Sequence, residues 1–110
     1  METKRKIVKA RGIRLSFKDK RKEAARAYLY ILQNDLHKKP FGLLEDVYVE
    51  ENLRGRGLGT KIINEAIIEA RKNKCYKLVA TSRYSRPKVH KLYERLGFKN
   101  HGLEFRLDFK

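Results

Sequence analysis

Apolar and polar positions along the 110 residues fall into two rhythms, and their order predicts the fold. Ile13, Leu15 and Phe17 alternate with polar neighbours, the pattern of a strand with one face in water. The polar run Lys18 to Glu23 suits a turn. Ala27, Leu29 and Ile31 then alternate with Tyr28, Tyr30 and Leu32, so both faces are apolar or aromatic and the strand is central. Helix is the rival reading there; the clustered tyrosines and the turn Gln33-Asn34-Asp35 favour strand. Pro40 and Gly42 punctuate a loop, and Leu43 to Val49 forms a third strand. From Leu58 the spacing changes: Ile62, Ile63, Ala66, Ile67 and Ala70 mark one face of a helix of about four turns. Tyr76 to Ser82, with Leu78-Val79-Ala80 at its centre, reads as a buried strand. A right-handed crossover would make it parallel to the third. Pro87 suits a first helical position, Val89, Leu92, Tyr93 and Leu96 share a face, and Gly97 stops the helix. After the turn Asn100-His101-Gly102, strict alternation of Leu103, Phe105, Leu107 and Phe109 predicts a closing strand. The order is β-β-β-α-β-α-β: an α/β chain with a mixed, mostly antiparallel sheet, in one domain over residues 1–110.

Between the third strand and the first helix lies the stretch with the most specific chemistry, Arg54-Gly55-Arg56-Gly57-Leu58-Gly59-Thr60. Three glycines let backbone N–H groups approach a ligand, and the positive end of a helix dipole faces them, which makes a cradle for a diphosphate. Two familiar phosphate loops do not fit. A P-loop needs lysine directly after its last glycine, whereas Thr60 follows Gly59, and the spacing from Gly55 to Gly59 is one residue short. A Rossmann loop sets its third glycine three places after the second, but Gly59 is two after Gly57.

The pattern Arg-x-x-Gly-x-Gly of Arg54, Gly57 and Gly59, preceded by Leu44-Glu45-Asp46-Val47-Tyr48-Val49, resembles the acetyl-CoA loop of the GNAT superfamily of N-acetyltransferases. Downstream, Leu92-Tyr93-Glu94-Arg95-Leu96-Gly97-Phe98 resembles that family's second signature. The resemblance runs from Leu43 to about Phe98. It implies a GNAT-like acyl-CoA N-acyltransferase fold and acetyl transfer from acetyl-CoA to a primary amine by direct attack. Backbone amides from Arg56 to Thr60 (Arg56, Gly57, Leu58, Gly59, Thr60), beside Gly55, would bind the pyrophosphate, with Arg54 adding charge. The main chain of Val47, Tyr48 and Val49 would pair with the pantetheine arm and supply an oxyanion donor. Glu45 matches a general base used by some members, and the competing account is a solvated edge carboxylate. Tyr93 matches the acid that reprotonates the thiolate; its apolar face equally suits a core tyrosine. Where many relatives carry a pantetheine-binding asparagine, this chain has Arg86 or its neighbours Ser82 and Ser85. Arg86 either reaches a CoA phosphate or caps the surface. Family members also insert two helices after the first strand, for which six polar residues leave no room. The acceptor side is then open or completed by a second copy, and a homodimer is expected.

Composition narrows the partners. Lys and Arg number 28 against 13 Asp and Glu, a formal charge of +15, so anions are favoured: CoA phosphates, nucleic acid or a membrane surface. A heavily solvated surface explains the same count. The rival function is therefore a basic nucleic-acid-binding module that keeps the fold without the reaction. Glu45, Asp46, Glu50 and Glu51 crowd one segment, a local negative patch suited to a cationic acceptor such as a lysine, an N-terminus or a polyamine. One cysteine, Cys75, allows no internal disulfide, and no run is apolar enough to span a bilayer, so a cytoplasmic protein is expected. His37, His90 and His101 lack metal-ligand spacing, and no metal is expected.

Overall fold

A computed structural model of the chain describes residues 1–109, which form two compact units, one over Met1–Ala80 and one from Thr81 onward. The first unit holds strands β1 (Ala10–Asp19), β2 (Lys22–Leu32) and β3 (Phe41–Val49), helix α1 (Leu58–Lys72) and strand β4 (Leu78–Ala80). They make one sheet in the order β1-β2-β3-β4. The pairs β1·β2 and β2·β3 are antiparallel, and β3·β4 is parallel. The second unit carries helix α2 (Pro87–Arg95), with Pro87 in its first turn.

The mixed, mostly antiparallel sheet and the element order therefore follow the sequence reading as far as α2. The closing strand does not form: residues 101–109 have no ladder, and Leu103, Phe105, Leu107 and Phe109 are exposed. Alternation specifies which side chains share a face but cannot supply the neighbour whose N–H and C=O groups complete a strand. The fourth strand is also shorter than expected, three residues in place of Tyr76 to Ser82.

A two-residue turn joins β1 to β2, with Lys20 and Arg21 both at positive φ, 50° and 75°. Such turns match the twist of the flanking strands, which is why six polar residues suffice between the apolar runs. One sheet face packs on α1. Ala25, Ala27, Leu29 and Ile31 of β2 and Leu44 of β3 meet Ile62, Ile63, Ala66 and Ala70 there, all of them buried. Gly42 is required by this packing: a Cβ would lie 2.9 Å from Leu78 Cδ1 and 3.0 Å from Leu29 Cδ1. The opposite face carries Arg14, Arg26, Tyr28, Tyr30 and Glu45.

Helix α1 ends with a left-handed residue, Lys74 (φ 59°). The Lys74 N–H donates to Arg71 O at 3.0 Å and the Cys75 N–H to Ala70 O at 3.0 Å. Cys75 packs against the Leu29, Ile31 and Ala70 cluster. This is the Schellman arrangement, with lysine standing where glycine is usual.

Candidate functional site

The third strand changes phase on its way to the glycine turn. Tyr28 pairs with Glu45 and Arg26 with Tyr48, so β3 spends three residues where β2 spends two. The extra residue lies at Asp46–Val47, and Asp46 has φ 51°. This is a β-bulge, and aspartate is among the few residues that tolerate the left-handed region. Glu45 and Tyr48, three apart, consequently face the same side of the sheet, away from α1, while Leu44 and Val49 face the helix. Strict alternation would place Asp46 on the face opposite Glu45; the bulge makes it the supernumerary residue.

Beyond Leu44 the strands part. β4 pairs with Gly42, Leu43 and Leu44 only, whereas β3 continues for five residues to Val49. The main chain of Val47, Tyr48 and Val49 thus lies on the stretch that has outrun its parallel neighbour, where an extended ligand arm can add as a strand.

The chain then turns through Glu51–Leu53 in a single 3-10 turn, and the last backbone bond before the helix is Arg54 N–H to Glu51 O. Gly55 (φ 84°) and Gly57 (φ 78°) follow, both left-handed and both with open space where a Cβ would stand. Glycine is needed here for backbone conformation, not for room. The first bond of α1 runs from Lys61 N–H to Gly57 O at 3.1 Å. The N–H groups of Leu58, Gly59 and Thr60 therefore have no intrahelical acceptor, at the positive end of the dipole. A run of amides with unspent donors at a helix start suits a diphosphate, so the residues fit the group that the sequence implied.

Arg54 serves the turn as well as its charge. Its Nε donates to Val49 O at 2.9 Å, and its guanidinium lies 5.4 Å from the Tyr48 ring centroid. Arg26 approaches the same ring at 4.8 Å, so two cations lie against Tyr48. These contacts tie the turn back onto the strand that delivers it. Next to them Glu45 is half-buried, and Asp46, Glu50 and Glu51 are exposed. Arg14 donates to the Tyr28 hydroxyl at 3.0 Å and pairs with Glu23. Tyr28 and Tyr30 stack with centroids 6.3 Å apart. The face around Glu45 is thus aromatic and charged rather than apolar.

The remaining sequence candidates, Tyr93 and Arg86, belong to the second unit. Arg86 is exposed and is the residue before Pro87, without a side-chain capping bond. Tyr93 is half-buried on α2. The Gly97 N–H donates to Glu94 O and the Phe98 N–H to Tyr93 O, both at 3.0 Å, with Gly97 at φ 98°. The Tyr93 and Phe98 rings meet at 5.1 Å, the apolar contact that accompanies such a helix stop. The signature Leu92 to Phe98 is therefore also a helix terminator, which its glycine and flanking aromatics already encoded. Among the described residues no His, Cys, Asp and Glu cluster is arranged for a metal, and no helix is long and apolar enough to cross a membrane.

Among known proteins the chain is similar to acetyltransferases. Glucosamine 6-phosphate N-acetyltransferase of Trypanosoma brucei brucei is 39% identical over 67 residues, 61% of this chain and 44% of that protein. Glucosamine 6-phosphate N-acetyltransferase 1 of Oryza sativa subsp. japonica is 32% identical over 68 residues, 62% of this chain and 39% of the relative. The chain thus spans less than half the length of these curated relatives. A solved Trypanosoma brucei acetyltransferase superposes with a TM-score of 0.80 at 29% identity, covering 89% of this chain and 69% of that one. Residues 11–98 match the acetyltransferase (GNAT) family, and the chain belongs to it.

Proposed function

We propose that the chain transfers acetyl from acetyl-CoA to a primary amine, and that the two units act as one domain, a reading supported by a single family match running across both. The observation that carries it is the glycine turn: left-handed Gly55 and Gly57 precede a helix start with unspent amides, at the end of a bulged strand that has outrun its neighbour. The amides from Gly55 to Thr60 hold the pyrophosphate, and the edge of Val47 to Val49 aligns the pantetheine arm. Glu45 first takes a proton from the acceptor ammonium, the freed nitrogen lone pair then bonds to the thioester carbon, and a β3 amide supports the oxyanion. The C–S bond then breaks, and Tyr93 returns a proton to the departing sulfur. Glu45 is needed because an alkylammonium with a pKa of about 10 is almost wholly protonated at neutral pH. Arg86 is assigned to a CoA phosphate.

The acceptor is a small amine drawn by the carboxylates of Glu45, Asp46, Glu50 and Glu51. The names of the sequence relatives make glucosamine 6-phosphate the first to test, beside spermidine and a lysine peptide. Thermal melting with and without acetyl-CoA is the primary test, since tight binding at a hundredfold excess over Kd adds about 2.7 kcal/mol. Thiol release with each amine then reads turnover. Glu45→Gln and Tyr93→Phe are expected to lower turnover at nearly constant acetyl-CoA affinity. A melting point indifferent to acetyl-CoA would overturn the proposal.

A further inference from the structure

At the other end of the first unit, away from the glycine turn, lies an open pocket of about 520 Å³ lined by Lys9, Arg11, Lys38, Lys39 and Lys74. No carboxylate lines it among the described residues. It sits before the start of β3 and beyond the end of α1. The strand's nine residues, at about 3.3 Å each, put it roughly 27 Å of chain from the turn. Arg11 is fixed there by its bond to Asn73 Oδ1, and Asn73 in turn donates to Glu69 O at 2.8 Å. Lys74 reaches the rim from the left-handed position of the helix stop, which glycine usually occupies. With the other four it makes a patch of like charge that no carboxylate in the lining balances, a setting that favours an anion. Beside the pocket, the Tyr76 N–H donates to Pro40 O at 3.0 Å. Tyr76 is 45% exposed, and its ring meets the His37 ring at 5.4 Å and the Lys77 ammonium at 5.3 Å.

Five cations lining one pocket, next to a partly exposed ring, form the pattern by which single strands are held, phosphates on the cations and a base on the ring. We propose that this end of the first unit binds single-stranded nucleic acid, phosphates in the Lys9–Arg11–Lys38–Lys39–Lys74 pocket and a base on Tyr76. The site is separate from the acetyl-CoA turn and goes beyond the acetyl-transfer reading.

The test is fluorescence anisotropy of a labelled 12-nucleotide oligouridine between 50 and 200 mM salt. Five phosphate contacts predict a slope of log K on log salt of about −3.5, hence roughly a hundredfold weakening over that range. Lys38→Glu should flatten the slope by about 0.7, and Tyr76→Ala should weaken binding about tenfold at fixed salt. Lys74→Gly separates binding from folding: it relieves the left-handed strain, so the protein should melt no lower while its oligouridine affinity falls and its response to acetyl-CoA persists. Lys18→Glu, near the β1–β2 turn, changes net charge equally and should leave the slope unchanged. Equal losses from Lys18→Glu and Lys38→Glu would show diffuse attraction and overturn the site. So would tighter binding of a duplex than of oligouridine, or competition by inorganic phosphate as effective as by oligonucleotide.

Discussion

Gly57→Ala isolates what the glycine turn contributes. Gly57 has φ 78° and nothing within 4 Å of an added Cβ. A methyl group therefore meets no neighbour, and its whole effect is conformational. Holding alanine in the left-handed region costs about 1–2 kcal/mol, and the stiffer unfolded chain returns about 0.4–1 kcal/mol of that. If the turn keeps its shape without ligand, stability falls by up to about 1.6 kcal/mol, a melting shift of roughly 6 °C for a chain of this size. If the empty turn relaxes instead, melting barely changes, and acetyl-CoA must restore the strained shape. Its affinity then falls about five- to thirtyfold. Calorimetric titration and thermal melting together read both routes, because the same strain is divided between them. Gly102→Ala is the control: that glycine has equal space and no left-handed φ, so neither quantity should drop. A Gly57→Ala variant matching wild type in both melting and affinity would refute the conformational argument.

Three further outcomes follow from the packing. Gly42→Ala forces a methyl to within 2.9 Å of Leu78 Cδ1 and should destabilise the fold by about 1–3 kcal/mol in urea unfolding; unchanged stability would mean β4 moves aside freely. Arg54→Lys should bind acetyl-CoA several-fold more weakly, because lysine cannot both donate sideways to Val49 O and stack on Tyr48; titration showing wild-type affinity would reduce Arg54 to a point charge. Burial, ahead of an opposing pull from Arg11, pushes the Cys75 thiol above its usual range. Less thiolate then exists at neutral pH, and alkylation should rise with pH later than for a cysteine peptide; a midpoint at or below the peptide's would contradict that sign.

Much of the first unit was legible because its signals were local. Paired faces on Ala27 to Leu32 marked the interior strand, and four buried positions from Ile62 to Ala70 marked the helix that covers it. The glycine turn was legible because left-handed backbone restricts the residues that can occupy it. The bulge was not, since Asp46 is one permitted residue among several and only its pairing with β2 exposes the insertion. The strand over Leu103 to Phe109 failed for the complementary reason: periodicity describes one strand, and a ladder takes two. The basic pocket was hidden because its cations come from three separate stretches, Lys9 to Arg11, Lys38 to Lys39, and Lys74, which the single figure of +15 averages away.

The supernumerary residue in β3 has a consequence for how the strand tolerates change. Its two halves run out of step, one answering to the leucines under the helix and the other to the amides of the turn. A slip of one position near Val49 can be absorbed at Asp46 before it reaches Leu44, so the buried half keeps its register while the ligand half is adjusted. A uniformly pleated strand would transmit the same slip along its whole length and turn its core side chains out into water.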